Sequence, residues 1–164
     1  MSFWTQATLE PKRNYRFKIT KSGFGDDVWW WAKNIDKPSY TISTGEYKMI
    51  NHTFKYPGVL TWNNISISVV STQEMIQGLF VDLRALEYTA PTTTTSGANT
   101  GLTKAKSKTT GLVIEQIDAD GITLETWVIK GAFVTSVTHS KLDYTSDDLS
   151  ETTIEIAYDF AEFT

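Results

Sequence analysis

The sequence predicts a mainly β fold: two packed β-sheets forming a sandwich or barrel, with one flanking α-helix at about 72–88. Three observations predict it. Apolar and polar residues alternate with a period of two over several stretches, turn-forming clusters separate those stretches, and one central segment switches to spacings of three and four. The 164 residues fit a single domain spanning 1–164. A chain of this length buries roughly 70% of the surface its unfolded form exposes, enough to fold without metal or disulfide.

The elements follow in order. Tyr15, Phe17 and Ile19 alternate with Arg16, Lys18 and Thr20, which predicts a strand at 13–21 with one buried face. A turn at Gly23–Asp27 leads to a strand at 27–34, and Asp36–Pro38 to one at 46–55. Tyr56-Pro57-Gly58 reads as the next turn. A strand at 59–70 follows, with Ile65, Ile67 and Val69 on one face and Asn64, Ser66 and Ser68 on the other.

From Thr72 to Tyr88 the pattern changes. Met75, Ile76, Leu79, Phe80, Leu83 and Leu86 form a single helical stripe, Ser71 and Glu74 are spaced as a capping box, and Pro91 stops the helix just past its end. A long polar loop at about 89–110 comes next, longer than most connections in compact domains. Its Lys104, Lys106 and Lys108 recur every second residue. They fit either a solvated loop or an arm that orders against a neighbouring subunit. Strands at 111–118 and 122–138 flank Asp118-Ala119-Asp120-Gly121, whose Asp-Gly step suits a hairpin turn. After a turn at Ser146–Leu149, the strand at 152–163 shows the clearest alternation: Ile154, Ile156, Tyr158 and Phe160 against Glu155, Ala157, Asp159 and Ala161.

Composition narrows the function. The chain has no cysteine, which removes disulfide scaffolds, thiol nucleophiles and thiolate metal sites. Fifteen basic residues stand against 19 acidic ones, a net charge of −4, so the chain as a whole is not built to grip phosphates. The N-terminus lacks a basic start with an apolar core, and no run approaches the ~20 apolar residues of a membrane span; neither a signal peptide nor a membrane partner is expected. His52 and His139 have no metal-ligand neighbours at i+2 or i+4, the Asp118–Gly121 run lacks the remaining ligands of a calcium loop, and Gly23-Phe24-Gly25 is not a phosphate loop. Asp147, Asp148 and Glu151 read as a solvated acidic turn. The expectation is a non-enzymatic protein without cofactor or metal. Trp29-Trp30-Trp31 is the most unusual local feature. Consecutive strand residues face opposite ways, so the run fits a strand covered on both sides, a subunit interface, or a sugar-stacking platform.

Several stretches together resemble the tail tube protein family of contractile-tail bacteriophages, similar in fold to the haemolysin-coregulated tube protein of type VI secretion. They are PKRNYRFKI at 11–19, HTFKYPGVLTWNNISISVV at 52–70 with the helix after it, and the block 122–163. That block carries Ile129-Lys130-Gly131, Leu142-Asp143, the Ser146-Asp147 turn and a terminal alternating strand closing on Asp159-Phe160. The chain departs from the family's pattern at Trp29–Trp31 and at Ala132-Phe133-Val134, where a proline is expected.

The resemblance implies a virion protein, assembled in the host cytoplasm. Six copies form a ring, and rings stack into a tube that holds the tape-measure protein and passes DNA without binding it specifically. Sheath and baseplate proteins are the implied partners. A baseplate or tail-end paralogue and a type VI secretion tube protein are alternatives within the class; a carbohydrate-binding sandwich is the alternative outside it. Glu155 and Asp159, or Glu115 and Glu125, lie on polar strand faces and are candidates to line the channel. Lys104, Lys106 and Lys108 are candidates to meet Asp147, Asp148 or Glu151 on an adjacent ring.

Overall fold

A computed structural model describes residues 12–21, 31–73 and 111–164. Ten strands run through them: β1 Phe17–Lys21, β2 Ala32–Ile35, β3 Tyr40–Met49, β4 His52–Trp62, β5 Ile65–Val70, β6 Leu112–Ile117, β7 Thr123–Lys130, β8 Phe133–His139, β9 Glu151–Ala157 and β10 Phe160–Phe163. Among the described residues these strands build one four-stranded sheet in the order β1-β6-β7-β10, a second in the order β2-β5-β9-β8, and a separate β3-β4 hairpin. The fold is mainly β, as the alternation predicts. The helix expected at 72–88 lies outside the described residues beyond Gln73, as do Trp29, Trp30 and the loop at 89–110 with Lys104, Lys106 and Lys108.

Period-two patterning explains the core directly. On β5, Ile65, Ile67 and Val69 are fully buried while Ser66 and Ser68 turn away; on β9, Ile154 and Ile156 point the same way as their partners, Ile65 facing Ile156 and Ile67 facing Ile154. The first sheet answers with Ile19, Leu112, Ile114 and Ile129, and the two sets form one apolar cluster between the sheets.

The sheets are joined covalently at one corner. β7 and β10 pair in the first sheet, with Lys130 opposite Phe160; their continuations β8 and β9 pair in the second, with Phe133 opposite Ala157. The expected strands at 122–138 and 152–163 are therefore two legs of one antiparallel ribbon, and each breaks where it bends from sheet to sheet. Gly131 makes the bend possible: it sits at φ 66°, and a Cβ there would collide with the Asp159 carboxylate. The Asp159 N–H donates to the Lys130 carbonyl at 3.0 Å, holding the legs together through the bend.

The expected strands at 46–55 and 59–70 are corrected. Tyr56-Pro57-Gly58 is not a turn but part of β4. Ile42 pairs with Leu60 and Thr44 with Pro57, so β4 takes up an extra residue there, a bulge that accommodates a residue lacking an N–H. The reversal lies instead at Ile50-Asn51, between the Met49–His52 pair, with Ile50 at φ 52°. A second break at Asn63-Asn64 separates β4 from β5, and the Asn63 N–H donates to the Ser39 carbonyl at 2.9 Å. The Asp118–Gly121 turn is found as expected between β6 and β7. The Asp118 carboxylate accepts from the Asp120 and Ile122 N–H groups at 2.8 and 2.9 Å, so it serves the turn.

Candidate assembly surfaces

The β3–β4 hairpin stands apart from the sandwich core, and both strands are exposed along nearly their whole length. Pairing in register sorts its side chains into two faces. One carries Ile42 and Leu60, then Glu46, Lys48, Lys55 and Thr53 towards the tip. The other carries Tyr47 beside Phe54, Met49 beside His52, and Tyr56, whose ring covers Gly45. At the base, Trp62 packs edge-on against Tyr40 with centroids 5.4 Å apart and lies 5.8 Å from the Tyr158 ring, anchoring the hairpin to the sandwich. Tyr47, Met49, Phe54 and Tyr56 are all more than half exposed. A two-stranded hairpin presenting aromatic residues to water is marginal in isolation, and a contiguous apolar surface of this kind marks an interaction site.

The outer face of the second sheet differs in kind. Its registers align Asn34, Ser68, Thr153 and Thr138 in one row, and Ser66, Glu155 and Ser136 in the next. Those two rows contain hydroxyls, one amide and one carboxylate, with no apolar side chain. The Asn34 side-chain oxygen accepts from the Ser68 N–H at 3.3 Å, and the Ser68 and Thr153 hydroxyls lie 3.5 Å apart. The outer face of the first sheet is mixed: Val113 pairs with Val128 and Glu162 faces Val128, while Lys18 sits opposite Glu115.

The four carboxylates expected near a channel are placed differently from one another. Glu155 is exposed on the polar face of the second sheet, and Asp159 is exposed at the ribbon corner. Glu115 lies on the outer face of the first sheet, its Oε2 2.8 Å from Lys18 Nζ in an ion pair that lacks hydrogen-bond geometry. Glu125 points inward. Its side chain is 8% exposed, ion-paired with Lys12 and with Lys37 at 2.5 Å, and it accepts the Trp127 indole N–H at 2.9 Å. Lys37 also donates to Gln116 at 2.7 Å, and the Gln116 amide donates to the Arg13 carbonyl at 3.1 Å. Burial alone would push the Glu125 carboxyl up. The Lys12 and Lys37 ammonium groups and the Trp127 N–H outweigh it and hold the carboxyl at about 2. That carboxylate ties the N-terminal segment and the β2–β3 connection to β7; it is not available to an open channel.

The acidic residues at 147–151 belong to the loop joining β8 to β9. Glu151 pairs with Lys33 at 2.5 Å, Asp148 accepts the Ser146 hydroxyl at 2.9 Å, and Asp147 is exposed. In the same loop the backbone N–H and hydroxyl of Thr145 hold the Asp143 carboxyl below the usual range. Trp31 is exposed in the turn just before β2. His139 reaches the buried Thr152 hydroxyl at 3.0 Å, and His52 packs edge-on against Phe54 with centroids 4.6 Å apart; both are structural contacts. Among the described residues no group of His, Asp and Glu side chains converges to hold a metal ion, and no helix is long and apolar enough to cross a membrane. The aromatic hairpin face escaped the sequence reading, although Tyr47, Met49, Phe54 and Tyr56 alternate; the Pro57-Gly58 step masked it.

No family model and no curated protein matches this sequence. Solved structures do. The chain is similar to the tube terminating cap of the anti-feeding prophage, with a TM-score of 0.71, 20% identity, and coverage of 100% of this chain and 99% of that one. It is similar to a chain of the sheath-tube complex of the PVC extracellular contractile injection system, with a TM-score of 0.68, 22% identity and 98% of each chain covered. Hcp1 from Flavobacterium johnsoniae follows at a TM-score of 0.50 and 14% identity, over 91% of this chain and 94% of that one. The fold is thus that of the tube proteins of contractile injection systems, with Hcp as a more distant likeness, which is the fold that the strand-and-turn order at 11–19, 52–70 and 122–163 resembles.

Proposed function

We propose that this chain is a structural tube subunit of a contractile tail particle, built as six-membered rings that stack into a conduit, with no catalytic role. The observation that carries the reading is the aromatic β3–β4 hairpin on a fold shared end to end with tube-type proteins. Among the described residues the hairpin carries a broad exposed aromatic face, and in this reading a neighbouring copy covers it. A ring of identical copies uses heterologous contacts that close by rotation, whereas stacking leaves an open filament.

In this reading the polar outer face of the second sheet lines the channel. Hydroxyls keep it hydrated, and Glu155 places a ring of carboxylates that does not attract phosphates, so DNA slides instead of binding. Joining the β8 edge of one copy to the β2 edge of the next would continue that sheet around the ring and cover both edges. Sheath, baseplate and tape-measure proteins are the partners, and the particle is a phage virion in which the conduit ends in DNA ejection. Negative-stain microscopy of the purified protein tests this: uniform rings or tubes support the reading, and strictly monomeric particles at all concentrations, with or without a baseplate nucleus, reject it. A second reading places the chain at a tube end. Its support is that similar solved chains come from a tube terminating cap and a sheath/tube terminator as well as from a sheath-tube complex. Labelling along isolated particles separates them, because an end protein marks one point and a tube subunit the full length.

A further inference from the structure

Gln116 and Glu125 are register partners on β6 and β7, and both are buried on the inward face of the first sheet. A polar pair at the rim of an apolar core must find partners, because an unpaired buried carboxylate or amide costs more than a typical hydrogen bond returns. Two segments far apart in sequence supply them, and each segment touches both members of the pair. From the N-terminal side, Lys12 pairs with Glu125, and the Arg13 carbonyl accepts from the Gln116 amide at 3.1 Å. From the β2–β3 connection, Lys37 donates to Glu125 at 2.5 Å and to Gln116 at 2.7 Å.

Donor and acceptor chemistry leaves this pair one arrangement. An ammonium only donates, so Lys37 holds the Gln116 oxygen towards itself and turns the Gln116 NH2 towards the Arg13 carbonyl, which only accepts. Lys37 and the Trp127 indole occupy Oε1 of Glu125, which leaves Oε2 facing Lys12. Either segment, once seated, therefore presents to the other the donor or acceptor it needs. The like charges of Lys12 and Lys37 act against this, but both ammonium groups belong to side chains about half exposed, where water and salt screen repulsion, whereas the carboxylate between them is buried.

We propose that Gln116 and Glu125 form a two-sided lock that couples the seating of residues 12–16 to that of the β2–β3 connection, each segment holding more firmly while the other is in place. The connection straddles the two layers: the Asp36 N–H donates to the Ser66 carbonyl on the second sheet at 3.0 Å, while Lys37 reaches the first. It is also the root of the β3–β4 hairpin, where Ser39 accepts from the Asn63 N–H at 2.9 Å. The N-terminal segment thus sets how firmly the hairpin root is fixed within a single copy. This inference needs no ring or tube, and it stands or falls apart from that reading.

Trypsin reads the N-terminal side on the full chain, because Arg13 and Arg16 are cleavage sites whereas Lys37 precedes a proline and is not. Lys37→Met keeps the apolar stem and removes the ammonium. It is expected to speed cleavage after Arg13 and Arg16 by at least about fivefold, within the range that members of one network show. Lys33→Met breaks the Lys33–Glu151 pair elsewhere on β2 and should leave that rate within about twofold. In the converse arm, Lys12→Met should speed hydrogen exchange of the Asp36 and Asn63 N–H groups by a similar factor. A coupling is reciprocal, so acceleration in one arm without the other overturns the lock. Slower cleavage in Lys37→Met shows two lysines competing for one carboxylate and also overturns it, as does equal acceleration in Lys33→Met, which reports general loosening.

Discussion

Glu125 shows what one side chain does here. Its carboxylate holds Lys12, Lys37 and the Trp127 indole, residues far apart in sequence, so losing it releases three attachments at once. Glu125→Ala is expected to cost about 1–3 kcal/mol, as the loss of a charge-assisted network does, read as the midpoint of urea unfolding near neutral pH. The pH dependence has a definite sign. The folded carboxyl lies near 2, below its ordinary 4.5, so its stabilisation is fully present above about 4.5 and is lost as pH falls towards about 2. Between those limits wild-type stability should fall more steeply than that of Glu125→Ala; equal slopes would remove Glu125 as the cause. Ile50 works the other way. Replacing it with glycine relieves the left-handed backbone and should raise monomer stability by about 0.5–1 kcal/mol, measured by thermal unfolding, while the assembled fraction falls.

At the scale of elements, the hairpin and the sandwich separate cleanly. The buried core draws on β1, β5, β6, β7 and β9, and no residue of β3 or β4 belongs to it. Replacing Tyr47 and Phe54 together by serine should therefore change the unfolding free energy of the monomer by less than about 1 kcal/mol, checked by denaturant titration, and abolish tubes under the microscope. How far each element could be read from sequence follows the same division. Where one face is buried in a broad core, as at Ile65–Val69 and Ile154–Ile156, alternation names the strand and its inward residues. In the hairpin both faces meet solvent, alternation carries less information, and local chemistry misled: Pro57-Gly58 has turn composition yet sits in a bulge, whereas the actual reversal at Ile50-Asn51 has no turn signature at its first residue. The ribbon corner at Gly131 was hidden for another reason. Its requirement comes from Asp159 on the other leg, a contact that no local pattern encodes. The inward turn of Glu125 was equally invisible, because its partners Lys12 and Lys37 lie 113 and 88 residues away.

For the whole molecule, the contrast between the two outer faces gives the sharpest test of orientation in the proposed tube. If the second sheet forms the channel wall, Glu155→Lys converts a ring of carboxylates into a ring of ammonium groups without touching the core. Tubes should still assemble, but DNA ejection from particles carrying the variant should slow and become sensitive to salt as phosphate contacts form. Ejection at wild-type speed and salt response would move the wall to the other sheet.

The bent ribbon has a mechanical consequence. Two layers held only by apolar packing resist separation but slide past one another with little penalty, since the hydrophobic effect has no direction. Here two adjacent backbones cross from one layer into the other at Lys130–Phe133 and Ala157–Phe160, cross-linked on both sides of the bend. A shearing load on one layer would pass into the other through covalent bonds and rows of amide contacts, and the sandwich would deform as one body instead of delaminating.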